Sequence, residues 1–132
     1  MSAERDAMIN SLKQIVIPTL RGRGFKGSFP HFYRKLENQI DLLMFQFSQW
    51  GESLYVEISK CPPNGRTGYG DQQIPLNKIK VYQVMGKSPN DRHRIGEDFE
   101  FSFNNNDKVA KEIKKSLAEA EDWWEGHPNW WN

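Results

Sequence analysis

The stretch from Gln39 to Trp50, QIDLLMFQFSQW, is apolar on two opposite sides over its first half. In an extended chain successive side chains alternate between faces, so Leu43, Phe45 and Phe47 point one way while Ile40, Leu42 and Met44 point the other. A strand with two apolar faces needs cover on both. It is therefore expected in the middle of a sheet. Its second face turns polar at Gln46 and Ser48, and this uneven face is the expected place for a groove.

The flanking segments supply the cover. Met8, Leu12, Ile15, Val16 and Leu20 form one stripe at helical spacing over 3–20. Pro18 lacks an amide proton and disfavours the helical conformation of the residue before it, so the helix is expected to kink or restart there. Gly22 and Gly24 then end it. From Phe29 the period becomes alternating, and FPHFYRKL suits a first strand at an edge. A two-residue turn at Glu37-Asn38 sets Arg34 opposite Asp41. A second turn at Gly51-Glu52 sets Phe47 against Val56 and Phe45 against Ile58.

Residues 61–75, CPPNGRTGYGDQQIP, carry the marks of a long connection. KIKVYQVM, 78–85, alternates like a strand, with Ile79, Val81 and Gln83 on one side. GKSPNDRHR reads as a turn, and EDFEFSF directs Phe99, Phe101 and Phe103 inward. Val109, Ile113, Leu117, Ala120 and Trp124 then form an unbroken helical stripe, capped by Asn105 or Asn106 and stopped by Gly126 and Pro128. The sum is one α+β domain: a single antiparallel, curved sheet of about five strands, with an N-terminal and a C-terminal helix packed on it. A length of 132 residues suffices for one such core without metal or disulfide support.

LRGRGFKG (20–27), FYR (32–34) and FQFS (45–48), with RIG (94–96) and the C-terminal helix, resemble a bacterial family known as domain of unknown function 4304. The resemblance implies an α+β domain with no established activity, cofactor or site. The loop at 61–75 and the Trp-rich end have no counterpart in it.

Charge and cysteine content narrow the classes of function. Formal charge is +1, so no global field recruits nucleic acid or anionic lipid. The one cysteine, Cys61, excludes an internal disulfide and fits a reducing compartment. No segment approaches membrane-spanning length, and Glu4, Arg5 and Asp6 precede only the interrupted stretch IVIP, unlike a secretory signal. The expected location is the cytoplasm, with no membrane partner.

Motifs for chemistry are weak. GRTGYG, 65–70, has the glycines of a phosphate loop, but Gln72, Gln73 and Pro75 follow where such a loop opens a helix. Cys61 and the three histidines, His31, His93 and His127, lack the spacing of a nucleophile with its base or of a zinc site. No cofactor and no metal is expected. Arg92, His93 and Arg94 beside Glu97, Asp98 and Glu100 would make an acid/base set only if folding brought them to one cleft.

Two binding readings remain. His31, Tyr33, Arg34 and Lys35, near Arg21, Arg23 and Lys26, mix charge with aromatic faces in the manner of single-strand nucleic-acid binders. The favoured reading is a non-enzymatic protein-interaction module, immunity- or antitoxin-like by analogy with small bacterial domains, that binds another protein or a second copy of itself. Its expected surface is His31, Tyr33, Arg34, Met44, Tyr55, Trp130 and Trp131, because Trp, Tyr and Arg dominate interface hot spots. Trp130 and Trp131 are costly to leave in water, so they either fold back on the domain or meet a partner.

Overall fold

The computed structural model describes residues 2–68 and 73–131. In chain order the elements are α1 (Ala3–Ile15), α2 (Ile17–Gly22), β1 (Lys26–Ser28), β2 (His31–Lys35), β3 (Ile40–Phe47), β4 (Ser53–Cys61), β5 (Arg92–Glu100) and α3 (Asn106–Gly126). The five strands make one antiparallel sheet in sequence order, with β3 in the centre. Every residue of β3 from Ile40 to Phe45 is buried.

The helices cover one face. Met8, Leu12, Val16 and Leu20 from α1, α2 and their junction meet Leu43, Phe45, Val56 and Ile58 of the sheet and Val109, Ile113, Leu117 and Trp124 of α3. The break before Pro18 is as expected, since α2 carries that proline in its first turn. The Ser11 hydroxyl donates to the Asp107 carboxylate at 2.7 Å, which fixes α1 against the start of α3. Asn105 is the residue before α3, but its side chain accepts from the Ser102 amide and makes no cap bond to the helix.

The other face carries a second, smaller core of Ile40, Leu42, Met44, Cys61, Ile79, Val81, Val84 and Trp130. Its cover comes from 74–84, where the alternation over 78–85 predicts a strand. Instead 76–78 and 81–83 are short 3-10 turns. Pro75 precedes the first turn, and the Gln83 side chain accepts from the Lys80 amide at 2.8 Å, so polar groups satisfy locally the backbone that a strand would pair. Ile79, Val81 and Val84 are thereby free to pack onto the sheet. The count of five strands survives because Lys26–Ser28, to which the sequence pattern assigns no strand, pairs with β2.

The first hairpin has the expected register, with Arg34 opposite Asp41. The second is displaced by two residues. Phe47 faces Leu54, Phe45 faces Val56, and Ile58 faces Leu43; the Ser48 amide donates to the Ser53 carbonyl and closes a longer loop. A shift of two keeps every side chain on its own face, so the apolar pattern does not distinguish the two registers. The last strand begins earlier than its pattern suggests, at Arg92. Phe101 is buried, whereas Phe103 lies beyond the strand and is 57% exposed instead of pointing inward.

Candidate functional site

Two regions concentrate polar chemistry, and they lie on opposite faces. On the helical face, cross-strand pairing places Arg34, Asp41 and Lys60 in one row over β2, β3 and β4. The end of α3 roofs this row. Arg34 donates to Asp41 at 2.7 and 3.0 Å and to Glu121 at 2.6 and 3.1 Å, with its guanidinium carbon 4.5 Å from the Phe25 ring centre. Gln39 donates to the second Asp41 oxygen and to the Trp124 carbonyl. A cleft of about 460 Å³ opens beside them, lined by Leu36, Asp41, Glu121 and Trp124 among others.

The electrostatics of this row are those of a lock. Burial raises the Asp41 carboxyl above its ordinary range, against the hydrogen bonds of Gln39 and Arg34. For Glu121 burial also acts upward, but Arg34 and Arg23 outweigh it and hold the carboxyl below its usual value. Both Asp41 oxygens are occupied by donors, so the cleft offers mutually satisfied groups in place of a poised acid or base.

Lys60 is buried, and its ammonium donates to the Trp124 and His127 carbonyls at the end of α3. Burial lowers its pKa, opposed by the pull of Asp41 and Asp91. A cation here also complements the negative end of the helix dipole. Lys60→Met is expected to lower unfolding free energy by about 1–3 kcal/mol, since it strands the His127 carbonyl and leaves the Trp124 carbonyl to Gln39 alone. A urea midpoint equal to that of the wild type would refute the role.

The second face is divided. Its closed half lies under 74–84 and Trp130, whose indole donates to the Lys60 carbonyl at 2.8 Å, while Trp131 packs edge-on against Trp130 at 5.1 Å. Its open half follows from the strand register: from the buried Met44 the row runs outward through Glu57 to Arg94, and Gln46 and Tyr55 stand in the next row. The Arg94 guanidinium lies 3.7 Å from the centre of the Tyr55 ring and reaches Asp98 at 3.2 Å. Beyond this end, at the hairpin tip, Trp50 is 92% exposed.

The residues expected at an interaction surface are therefore split. His31, Tyr33, Tyr55 and Trp131 are partly exposed on or beside the second face, whereas Met44 and Trp130 are buried in its core. Arg34 sits on the opposite face in the charged lock. Sequence reasoning passed over Trp50 and Tyr82, the latter 49% exposed. A lone aromatic at a turn was the signal for the first; the false strand at 78–85 hid the second.

The other leads separate likewise. Arg92 ion-pairs with Glu57 on the second face, while His93 points to the helices, bonds Glu119 at 2.7 Å and stacks on Trp123. Burial pushes the Cys61 thiol up to about 12, which keeps it protonated and not nucleophilic at neutral pH. In the 65–70 loop, Tyr69 and Gly70 lie outside the described residues. Among the described residues no group of three His, Cys, Asp or Glu side chains is placed to hold a metal ion, and no helix is long and apolar enough to cross a membrane.

No curated protein and no solved structure matches the chain. The family model described as domain of unknown function (DUF4304) matches residues 16–127, from the junction before α2 to the residue after α3, and leaves α1 and Trp130 outside the matched span. Since that match takes in the whole sheet and the helix that roofs it, the chain belongs to the DUF4304 family.

Proposed function

We propose that this protein is a non-enzymatic interaction module that binds another protein through the open half of the second sheet face and the adjoining hairpin tip. The observation that carries the reading is Trp50, which is 92% exposed at the tip of the β3–β4 hairpin. An indole in water forfeits the burial energy that makes Trp the commonest interface anchor. Further along the sheet from that tip, Tyr55 and Arg94 form a cation–π pair, with Gln46 opposite Tyr55 and Asp98 on Arg94.

Because Trp50 supports no packing, Trp50→Ala is expected to change stability by less than about 0.5 kcal/mol. A photo-crosslinking residue at 50 or 55, in cells that make the protein, is expected to yield one discrete adduct; the same residue at the exposed outer position 111 of α3 yields none. An adduct of doubled mass identifies a second copy as the partner. Equal, diffuse labelling from all three positions would refute the reading.

A further inference from the structure

Two shallow grooves meet at His31 on the β2 side of the second face, apart from the Trp50 tip. One, of about 250 Å³, runs between the β1–β2 turn and the first 3-10 turn, with Ser28, Tyr33, Asn77, Lys78 and Lys80 along it. The other, of about 320 Å³, runs on past Phe29, Met44, Phe47 and Tyr82. Phe29, Pro30 and His31 line both, so they are two ends of one depression.

The ends differ in chemistry. Lys78 is exposed and Lys80 half-buried at the first. Cross-strand pairing with Tyr33 adds Lys26 on the same side. Among the described residues none of these three lysines forms an ion pair with a carboxylate and no carboxylate lines either groove. The second end is aromatic and apolar, and Tyr82 stands half exposed with its ring edge-on to His31 at 6.0 Å. Between them the buried Nδ1 of His31 has no hydrogen-bond partner among the described residues, and burial together with Lys80 lowers the pKa of the ring, favouring the neutral form.

We propose that this depression binds a nucleotide unit, with the phosphate among Lys26, Lys78 and Lys80 and the base against Tyr82. A cationic groove that leads onto an exposed aromatic ring is the arrangement that holds one nucleotide of a single strand, or a free nucleotide, without reading its sequence. The nearby arginines are engaged elsewhere, Arg21 on the Gly27 carbonyl and Arg23 and Arg34 on Glu121, so the lysines supply the charge of this groove.

The test is binding of the full chain to a labelled single-stranded oligonucleotide and, separately, to a nucleoside 5′-monophosphate, with inorganic phosphate as competitor. Lys78→Glu with Lys80→Glu is expected to weaken oligonucleotide binding by about tenfold or more and to make the slope of log affinity against log salt shallower by about 1.4, roughly 0.7 per lost contact. Tyr82→Ala should weaken it by about fivefold or more with the slope unchanged. Lys111→Glu with Lys114→Glu, the same charge change on the outside of α3, should have less than about a twofold effect. Binding of the oligonucleotide alone identifies a strand as the source of the phosphate, and binding of the monophosphate as well identifies a free nucleotide; either supports the site. The proposal is overturned if neither ligand binds at low salt, if the α3 pair weakens binding as much as the groove pair, or if Tyr82→Ala has no effect.

Discussion

Arg34→Ala is expected to cost about 3–5 kcal/mol of unfolding free energy, as does breaking a buried pair by removing one partner. The size follows from what Arg34 leaves behind. Asp41 has no exposed surface, and its only cationic hydrogen-bond partner among the described residues is Arg34. Without the guanidinium, Asp41 must take a proton or carry an unpaired charge in the interior. The same substitution releases Glu121 and so unfastens α3 from β2, and it removes the cation stacked on Phe25 and Trp124. Glu121, a third exposed, should matter far less: Glu121→Gln is expected to cost about 0.5–1 kcal/mol. In a double-mutant cycle, Asp41→Asn should recover part of the Arg34→Ala loss, because it takes away the stranded charge. A loss below about 1 kcal/mol for Arg34→Ala would show that the row is a surface network after all.

Trp130→Ala should be comparably severe, at about 3–5 kcal/mol, the range for removing a large buried aromatic side chain. Trp130 is 5% exposed and packs among Ile40, Leu42, Met44, Val81 and Val84. It reaches the second face by a tail that leaves α3 at Gly126, so Trp130, with Trp131 against it, completes the core that β3 needs on that side. Trp130→Phe retains most of the area but forfeits the indole bond to the Lys60 carbonyl, and is expected to cost about 1–3 kcal/mol. Thermal and urea unfolding measure both. If Trp130→Ala leaves stability unchanged, the tail is no part of the core and its tryptophans are available to a partner.

What could be read from the residues divides along physical lines. Helical stripes were legible because their period is long and redundant: Val109, Ile113, Leu117, Ala120 and Trp124 are all buried as their spacing requires. The centrality of β3 was legible because apolar side chains on both faces admit few alternatives. The Arg34–Asp41 pairing followed from a short turn, but its meaning did not. Nothing local says that Glu121, 87 residues away, closes the same cluster.

Errors fell where the pattern is degenerate. The register of the second hairpin differs by two residues, a displacement that alternation does not detect. The alternation of Ile79 and Val81 fitted a strand, yet side chains descending from 3-10 turns satisfy the same spacing. That substitution decided the site, because it filled one half of the second face, buried Met44 and set Tyr82 beside His31. Composition had marked Trp130 and Trp131 as unwilling to face water, and it left open whether the cover was the domain or a partner. Trp50, on its exposed tip, reverses the outcome found for Trp130.

That contrast is directly measurable by hydroxyl-radical footprinting of the full-length protein, read residue by residue by mass spectrometry. A second face closed at one end and open at the other requires Trp50 and Tyr82 to label rapidly while Trp130 stays protected in the same sample. Labelling of Trp130 at the rate of Trp50 would contradict it, since the tail would then lie off the sheet and Ile40, Leu42 and Met44 would have lost their cover.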